Sequence, residues 1–439
     1  MESARSIAYK ILLDAMKRST FSNIALDREL SKSELSGADK ALCSVIVLGV
    51  TERALTLDAI IDSLASRPED VDVDARVLLR MGIYQIEYLD RIPDHAAVNE
   101  TVSLAPRRIR GFVNAVLRSF LRAREKGGTD TLFPSRENDP LGYLSLKYSF
   151  PIDVCRQFCD IYGMERTEAI FEIFNRAPKM TLRINTLKIS RDDYAKLLED
   201  QGIAYALSER LEDAILLDSV SFASLPGADG GYFFIQDEAS QICVEALGAE
   251  EGELVIDTCS CPGSKSFGTA IRMKNCGEIR SFDLHKSKLS LIETGAERLG
   301  IDIIKVAERD GRKPDESLFG KADRVLCDVP CSGLGVIAKK PEIRYKSLEE
   351  FSRLPEIQYG ILSASANYVK VGGYLVYSTC TVLPSENIEN VKRFLAEHEE
   401  FETVDFETGG KRSEDGMLSL APDLDGCDGF FVAKMKRKE

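Results

Sequence analysis

Two cysteines of this 439-residue chain stand where residue types and spacing suit covalent chemistry. Cys380 ends the run 376–380, and Cys331 lies in the segment 328–333; both segments begin as buried-looking strands. Each cysteine occupies a Pro/Ser/Gly-rich loop rather than an apolar face. Strands of one parallel sheet end at a common rim, where an open α/β sheet binds its ligands. Because a thiolate is a strong nucleophile, two thiols on that rim indicate covalent catalysis on an electron-poor substrate.

Cytosine is a substrate that fits two thiols and a carboxyl group. A thiolate that adds to carbon 6 turns carbon 5 into an enamine carbon that can accept a methyl group. A base must then remove the hydrogen on carbon 5, and a proton on ring nitrogen N3 assists the first addition. Asp328 is placed to supply that proton if its surroundings keep it protonated. The alternative is that Cys331 and Cys380 are small buried hydrophobic residues.

The segment 255–265 predicts a strand, a tight Gly/Pro turn and the start of a helix. Such a loop exposes backbone N–H groups and admits a ligand close to the main chain. It has the glycine spacing of neither a GxGxxG motif nor a P-loop. Asp283 ends the next strand, where a carboxylate accepts ribose hydroxyls, and Asp310 follows the third, where it accepts an adenine amino group. The pattern suits an adenosine-containing ligand, although either aspartate can instead cap its strand end.

Composition narrows the class of protein. The chain has 11 cysteines but no CxxC pair and only three histidines, so we expect neither a zinc site nor a disulfide framework. Reduced thiols are typical of the cytosol. The first residues carry no apolar signal core, and no apolar run approaches membrane-spanning length. These features predict a cytoplasmic protein with no metal and no membrane partner.

A net charge of −14 argues against a nucleic-acid-binding protein when it is taken alone. Residues 1–125, however, carry as many basic as acidic residues, so the remainder holds the whole net charge. The segment 105–126 contains a cluster of seven basic residues opposed only by Glu125: Arg107, Arg108, Arg110, Arg118, Arg122, Arg124 and Lys126. This basic cluster predicts a phosphate-binding track. The alternative is a solvated helix face.

Apolar periodicity divides the chain into three parts. Residues 1–125 predict helices only, with Pro93 and Pro106 at helix starts, and 127–140 predicts a linker. Residues 141–235 predict a small α+β module. From residue 236 onward strands and helices alternate, which is typical of a parallel sheet covered by helices. Predicted strands lie at 254–257, 279–283, 303–306, 324–328, 374–378 and 429–435; predicted helices lie at 264–274, 286–299, 355–370 and 386–397.

At the two cysteine segments the chain resembles the Sun family of RNA cytosine-5 methyltransferases, which use S-adenosyl-L-methionine. The segment 328–335, Asp-Val-Pro-Cys-Ser-Gly-Leu-Gly, matches the family motif with the releasing cysteine, and 377–387 matches the motif with the nucleophile. The resemblance implies that Cys380 attacks, Cys331 releases and Asp328 assists. It also implies a set of contacts with the methyl donor: Cys259, Ser260, Cys261, Pro262, Gly263, Ser264, Lys265, Asp283, Asp310 and Asp328.

The resemblance extends over nearly the whole chain. Segments 92–102 and 111–118 are similar to the NusB-like N-terminal domain of the RsmB-type branch, the bacterial 16S ribosomal RNA enzymes. Segments 182–186 and 235–240 resemble its middle RNA-binding module and the entry to its catalytic domain. The resemblance implies a multidomain, monomeric protein: an all-α NusB-like RNA-binding domain at 1–126, a small α+β RNA-binding module at 140–235, and an α/β Rossmann-like class I methyltransferase domain at 236–439.

The donor loop departs from the family pattern Cys-Ala-Ala-Pro-Gly-Gly-Lys, because Cys261 and Ser264 stand at its third and sixth positions. Three hypotheses follow. The first is methylation of carbon 5 of a cytosine in 16S ribosomal RNA, which the NusB-like segments favour. The second is the same chemistry on transfer RNA, from which the catalytic motifs do not distinguish it. The third is a non-catalytic RNA-binding or assembly factor in which the two departures have abolished donor binding.

Overall fold

The computed structural model describes residues 3–18, 23–127, 133–218 and 222–438. The chain folds into two compact units. The first unit is built from Met1–Asn175 and Lys340–Leu348. The second is built from Arg176–Lys339 and Glu349–Glu439. The domain bounds predicted from the sequence, 1–126, 140–235 and 236–439, stay predictions.

Within its described part, the first unit is helical. The apolar periodicity predicts this for residues 1–125 only, and residues 140–174 belong to the segment predicted as an α+β module. Its helices are α1 Ala4–Arg18, α2 Asn23–Lys32, α3 Gly37–Glu52, α4 Ala54–Leu64, α5 Val73–Tyr88, α6 Asp94–Leu104, α7 Arg110–Gly127, α8 Pro140–Tyr148, α9 Ile152–Tyr162 and α10 Met164–Phe174. Helix α5 lies in the core, where Leu78 is fully buried together with Ile46 of α3 and Leu117 of α7. Apolar residues at helical spacing bury one face of each helix in this way.

The two prolines predicted at helix starts behave differently. Pro93 directly precedes α6, as predicted. Pro106 instead begins a turn, because the N–H groups of Ile109 and Arg110 donate to its carbonyl oxygen, so α7 begins only at Arg110. In the predicted linker, residues 128–132 lie outside the described part, and Asp139 caps α8 by accepting from the N–H of Gly142 at 2.9 Å.

An antiparallel four-stranded sheet opens the second unit. Its strands are β1 Met180–Ile184, β2 Ala206–Leu207, β3 Ala214–Leu217 and β4 Phe233–Ile235, in the order β2-β3-β1-β4, with helix α11 Arg191–Asp200. Alternation at 179–185 predicts β1, the apolar run 214–217 predicts β3, and the segment 191–202, closed by its glycine, predicts α11. The sequence misses β2 and β4, because strands of two and three residues carry too little alternation to detect.

An eight-stranded sheet follows. Its strands are β5 Leu254–Asp257, β6 Glu278–Asp283, β7 Ile304–Glu308, β8 Ala322–Asp328, β9 Val369–Thr379, β10 Phe401–Thr403, β13 Met417–Leu420 and β14 Phe430–Arg437, with a separate hairpin of β11 Glu407–Thr408 and β12 Lys411–Arg412. Its helices are α12 Glu238–Leu247, α13 Ser264–Arg272, α14 Lys286–Leu299, α15 Leu348–Phe351, α16 Leu354–Ala366, α17 Ile388–Glu397 and α18 Pro422–Asp425.

The strand order of this sheet is β10-β14-β9-β8-β5-β6-β7, with β13 beside β14. Strands β5 to β9 run parallel, and β14 is antiparallel to β9. The chain winds from β5 outward to β7 and then returns to β8 on the other side of β5. This reversal makes the carboxyl ends of β5 and β8 a topological switch point, where open α/β sheets bind ligands. The predicted Rossmann-like fold is confirmed.

One predicted helix extends too far. The interval 355–370 contains α16, but α16 ends at Ala366 and β9 already begins at Val369. Val369 is the first residue of the strand and Tyr368 directly precedes it, and both side chains are buried. An apolar run of this kind does not distinguish a helix end from a buried strand. No helix within the described residues is long and apolar enough to cross a membrane.

Candidate active site

The two candidate cysteines meet at the carboxyl ends of neighbouring strands. In the parallel pairing of β8 with β9, Asp328 lies beside Ser378. Cys331 follows Asp328 by three residues and Cys380 follows Ser378 by two. The two Sγ atoms lie 2.9 Å apart, and the backbone N–H of Cys380 donates to Sγ of Cys331 at 3.3 Å. The sequence therefore placed both thiols on the correct rim, and adjacent strands bring them into contact.

Contact with Cys380 and burial oppose ionisation of the Cys331 thiol. The hydrogen bond to Cys380, together with burial and nearby negative charge, raises the pKa of the Cys331 thiol well above its ordinary value. Two thiols in contact cannot both ionise easily, because the first thiolate repels the second. Cys331 therefore keeps its proton in the resting protein. All eleven cysteines lie among the described residues, and each is a thiol rather than half of a disulfide.

Asp328 is held from two sides. Nζ of Lys265 lies 2.7 Å from Oδ2 of Asp328, and the hydroxyl of Ser378 donates to Oδ1 at 2.7 Å. Burial alone would lower the pKa of Lys265, but the negative charges of Asp328 and the facing cysteines outweigh it and raise that pKa. Lys265 therefore stays an ammonium group that binds Asp328.

The predicted donor loop is the connection between β5 and α13. Its backbone is fixed against β6: the N–H of Ser260 donates to the carbonyl of Phe282 at 2.8 Å, and the N–H of Cys261 donates to Oδ2 of Asp283 at 3.3 Å. Gly263 has φ of 111°, and an added Cβ would lie 2.5 Å from the ring of Phe267. The position that requires glycine is thus Gly263, which this chain keeps.

Ser264, the departure at the sixth position of the loop, is the first residue of α13. Its backbone is not in the positive-φ region, and its carbonyl accepts a hydrogen bond from the side chain of Gln236 at 3.1 Å. The thiol of Cys261, the other departure, points to the carbonyl of Lys288 at 3.7 Å. The thiol of Cys259 is buried, which raises its pKa well above the ordinary value. Both departures are accommodated without backbone strain.

Besides Asp328, two of the predicted carboxylates lie around this loop, and they differ in their hydrogen-bond partners. Asp283, at the end of β6, accepts from Cys261 and from the N–H of His285 at 2.9 Å. Asp310 lies two residues beyond the end of β7, and the guanidinium of Arg312 binds both its oxygens at 3.0 and 2.9 Å, which lowers its pKa. Asp310 is therefore already paired with Arg312. The predicted contact with an adenine amino group requires a carboxylate lone pair that Arg312 does not occupy.

A fourth carboxyl group, Asp257, was not among the predicted site residues. It ends β5, is almost fully buried, and Oδ2 accepts from the hydroxyl of Ser266 at 2.6 Å. Burial raises its pKa to about 7. Its Oδ1 is buried and has no hydrogen-bond partner in the described part of the chain. The signal for it was present in the sequence, since it directly precedes the donor loop at a strand end.

The cysteine loops are also cross-linked by side chains that sequence reasoning missed. Ser332 and Thr381, each the residue after a candidate cysteine, have their hydroxyl oxygens 2.6 Å apart. The carboxyl group of Glu386 faces both residues. The positions of Ser332 and Thr381 directly after the two candidate cysteines are the partial signal that the sequence offers. The partners of Glu386 depend on the strand order and carry no local signal.

The basic cluster of residues 105–126 is only partly available to a ligand. Arg108 is paired with Asp72 at 2.8 Å, and Arg124 is paired with Asp94. The guanidinium of Arg110 donates twice to the carbonyl of Ala105. The other four members are exposed: Arg107, Arg118, Arg122 and Lys126. Within the described ranges, no group of three His, Cys, Asp or Glu residues is arranged to hold a metal ion.

Three family models match the chain. Residues 244–436 match the 16S rRNA methyltransferase RsmB/F model, residues 2–122 match the NusB family, and residues 154–221 match the RsmF/B-like ferredoxin-like domain. These matches agree with the predicted helical, α+β and Rossmann-like parts and confirm the fold class.

Full-length relatives give the same result. The chain is 37% identical to the probable ribosomal RNA small subunit methyltransferase B of Bacillus subtilis (strain 168), over 99% of both chains. It is 36% identical to the protein of that description from Synechocystis sp., over 100% of both chains. Among solved structures, the crystal structure of PH0851 superimposes with a TM-score of 0.81 at 25% identity, and covers 100% of this chain and 99% of that one.

Proposed function

Because the chain belongs to the RsmB/F family of 16S rRNA methyltransferases, we propose that it transfers a methyl group from S-adenosyl-L-methionine to carbon 5 of a cytosine in small-subunit ribosomal RNA. The single observation that carries the chemical part of this proposal is the 2.9 Å contact between the sulfurs of Cys331 and Cys380 beyond the carboxyl ends of β8 and β9, next to the switch point of the sheet. One buried thiol has many structural uses, but two in contact beside an ion-paired carboxylate suit adduct chemistry.

The residues around the donor loop fit S-adenosyl-L-methionine. The orphaned Oδ1 of Asp257 and the carboxylate of Asp283 are hydrogen-bond acceptors at the ends of β5 and β6. Acceptors with negative charge suit the ammonium group, the sulfonium charge and the ribose hydroxyls of that donor. We assign Asp257, Asp283 and the loop 259–265 to holding it, with Asp310 at the adenine end. When bound, the donor supplies an electrophilic methyl group.

The side chains of the protein then have distinct roles. The Cys380 thiolate forms a bond to carbon 6 of the ring, and the displaced electron pair is taken up at N3 with a proton that Asp328 delivers. The Lys265 ammonium, whose pKa is raised, keeps its own proton and holds the Asp328 carboxyl group in place, so the proton that Asp328 delivers comes from solvent. Once Cys380 is bonded to carbon 6, it no longer carries the negative charge that opposes ionisation of Cys331, so Cys331 can lose its proton to solvent. After carbon 5 has gained its methyl group, the Cys331 thiolate takes the remaining proton from that carbon. The electrons of the broken C–H bond re-form the ring double bond, Cys380 leaves as a thiolate, and the proton on N3 returns to Asp328.

The target base must leave its stack to reach this rim, which favours unpaired RNA. We propose that the exposed members of the basic cluster contact RNA phosphates, which would explain RNA binding by an acidic protein. The arginines already paired with Asp72 and Asp94 then contribute to the helical fold rather than to RNA binding.

The test is methyl transfer from tritium-labelled S-adenosyl-L-methionine to naked 16S rRNA, assembled small subunits and transfer RNA in parallel, followed by bisulfite sequencing. We expect label in small-subunit RNA at one cytosine, and none with Cys380→Ala. Label only in transfer RNA would favour the same chemistry on the other substrate. Binding of RNA without binding of the donor in calorimetric titration would favour a non-catalytic assembly factor.

A further inference from the structure

A buried carboxyl group joins the two cysteine loops. Glu386 is 1% exposed and lies six residues after Cys380. Its Oε2 accepts from the backbone N–H of Ser332, the residue after Cys331, at 3.0 Å. Its Oε1 accepts from the hydroxyl of Thr381, the residue after Cys380, at 3.3 Å. One carboxyl group therefore bonds to the chain immediately beyond each thiol.

A third donor fixes this carboxyl group. Nε2 of the fully buried Gln358 donates to Oε2 of Glu386 at 2.6 Å and to the carbonyl of Pro330 at 2.9 Å. Gln358 thus links Glu386 to the residue before Cys331 as well. The backbone of Glu386 is held too, because the hydroxyl of Tyr377 on β9 donates to its carbonyl at 2.6 Å. A buried carboxyl group with all its donors in place is a rigid element.

The loops also contact each other directly. The hydroxyl oxygens of Ser332 and Thr381 lie 2.6 Å apart, and the N–H of Gly335 donates to the carbonyl of Cys380 at 3.0 Å. Cys331 and Cys380 belong to different connections beyond the last paired residues of β8 and β9, so the sheet ladder no longer holds them. Small displacements of reacting groups cost large factors in rate. The geometry points to Glu386 as a positioning residue that clamps the Cys331 loop to the Cys380 loop, so that attack and release occur on the same bound base. This inference rests on the proposed function.

Two variants of Glu386 distinguish the effect of its charge from the effect of its hydrogen bonds. In Glu386→Gln, the amide oxygen can accept from Ser332 and Gln358, and the amide nitrogen can donate to the Thr381 hydroxyl, which also faces Ser332. All contacts therefore have a counterpart in the isosteric variant. In Glu386→Ala, the N–H of Ser332 and the amide of Gln358 lose their buried acceptor, and the loops lose this connection. Glu389→Ala, on the exposed face of α17, is the matched control.

The experiment measures methyl transfer and donor affinity in the full chain. We expect Glu386→Ala to lower kcat about 100-fold while the Kd for S-adenosyl-L-methionine stays within about twofold, and Glu386→Gln to restore kcat to within about fivefold of wild type. The Glu389→Ala control should match wild type. Wild-type kcat in folded Glu386→Ala, or equal loss in Glu386→Gln, would overturn the inference. If Glu386→Ala does not fold, Thr381→Val, which removes one tether, should lower kcat about tenfold.

A second readout separates this inference from the proposed function. Dibromobimane links two neighbouring thiols, and each thiolate displaces one bromide. The rate of linking Cys331 to Cys380, followed by peptide mass spectrometry, requires no methyl transfer. We expect Glu386→Ala to slow this linkage at least tenfold and Glu386→Gln to leave it nearly unchanged. An inactive wild type with this linkage pattern would refute the function alone, and an active wild type with unchanged linkage in Glu386→Ala would refute the clamp alone.

Discussion

The ammonium group of Lys265 lies 2.7 Å from Oδ2 of Asp328 across the switch point of the sheet. Lys265 is in the first turn of the helix that follows β5, and Asp328 is the last residue of the neighbouring strand β8. This ion pair joins the proposed donor loop to the carboxylate beside the thiols. Its side chains are mostly buried, so the contribution of each partner depends on the presence of the other.

Replacing Lys265 by methionine should affect both the stability of the protein and the pH dependence of methyl transfer. We expect Lys265→Met to destabilise the protein by about 3 kcal/mol, because Asp328 is left in a buried site without its cation. Below neutral pH the rate of methyl transfer should fall at least tenfold, and its rise with pH should move to higher pH, because a nearby cation no longer favours the thiolate of Cys380. Urea denaturation and a pH–rate profile measure the two effects.

The matched control for that variant is Lys274→Met. Lys274 is exposed and forms a surface ion pair with Glu251 at 2.6 Å. Surface pairs of this kind contribute little to stability, so the control should resemble wild type in both measurements. A Lys265→Met variant with an unchanged pH–rate profile would show that the lysine has no part in the reaction.

Removing the second thiol should arrest the reaction after attack. In Cys331→Ala the base that takes the proton from carbon 5 is missing, so the bond between Cys380 and the ring persists. We expect a protein–RNA adduct that survives denaturing electrophoresis and disappears in the double variant with Cys380→Ala. Cys276→Ala, an exposed thiol, is the control and should give no adduct. Full turnover by Cys331→Ala would contradict the two-thiol scheme.

The pH dependence of stability should change when Asp257 is replaced. Burial raises the pKa of Asp257 from 3.8 to about 7, so between these values the folded state binds its proton more tightly than the unfolded state. This carboxyl group therefore favours folding most below about pH 4, and its contribution is lost as the pH rises to about 7. As the pH rises over that range, the free energy of unfolding of Asp257→Asn should increase relative to that of wild type by roughly 4 kcal/mol. Urea denaturation across pH measures this difference, and parallel curves for the two proteins would refute it.

Gly335 allows the Cys331 loop to approach its neighbours closely. A Cβ added there would lie 1.9 Å from the carbonyl oxygen of Gly429 and 2.9 Å from that of Cys380. Both are backbone atoms, so the loop itself must move, and Gly335→Ala should cost about 1–3 kcal/mol of stability and at least about 100-fold in kcat. Gly360→Ala, in α16, is the control, because its Cβ would meet only the side chain of Arg312, at an ordinary 3.6 Å. Equal kcat in the two variants would contradict the close approach.

Local sequence was sufficient for the elements that carry the site. Strand β5 at 254–257 and helix α14 at 286–299 have the predicted bounds, and β8 differs only at its start. Alternation, helical spacing and turn residues act over a few positions, so they can be read without the fold. The same signals place Cys331 and Cys380 just beyond strand ends, and the motif resemblance adds their proposed order of action.

The tertiary structure decided which of these ends are neighbours and what faces them. The return of the chain from β7 to β8 places Asp328 beside Ser378, brings the two sulfurs within 2.9 Å and directs Lys265 to Asp328. The contact of Glu386 with Ser332 arises from the same packing. Sequence spacing specifies which residues share a strand or helix face. Strand order and side-chain contacts depend on burial and hydrogen bonding summed over the whole unit, and no short segment encodes them.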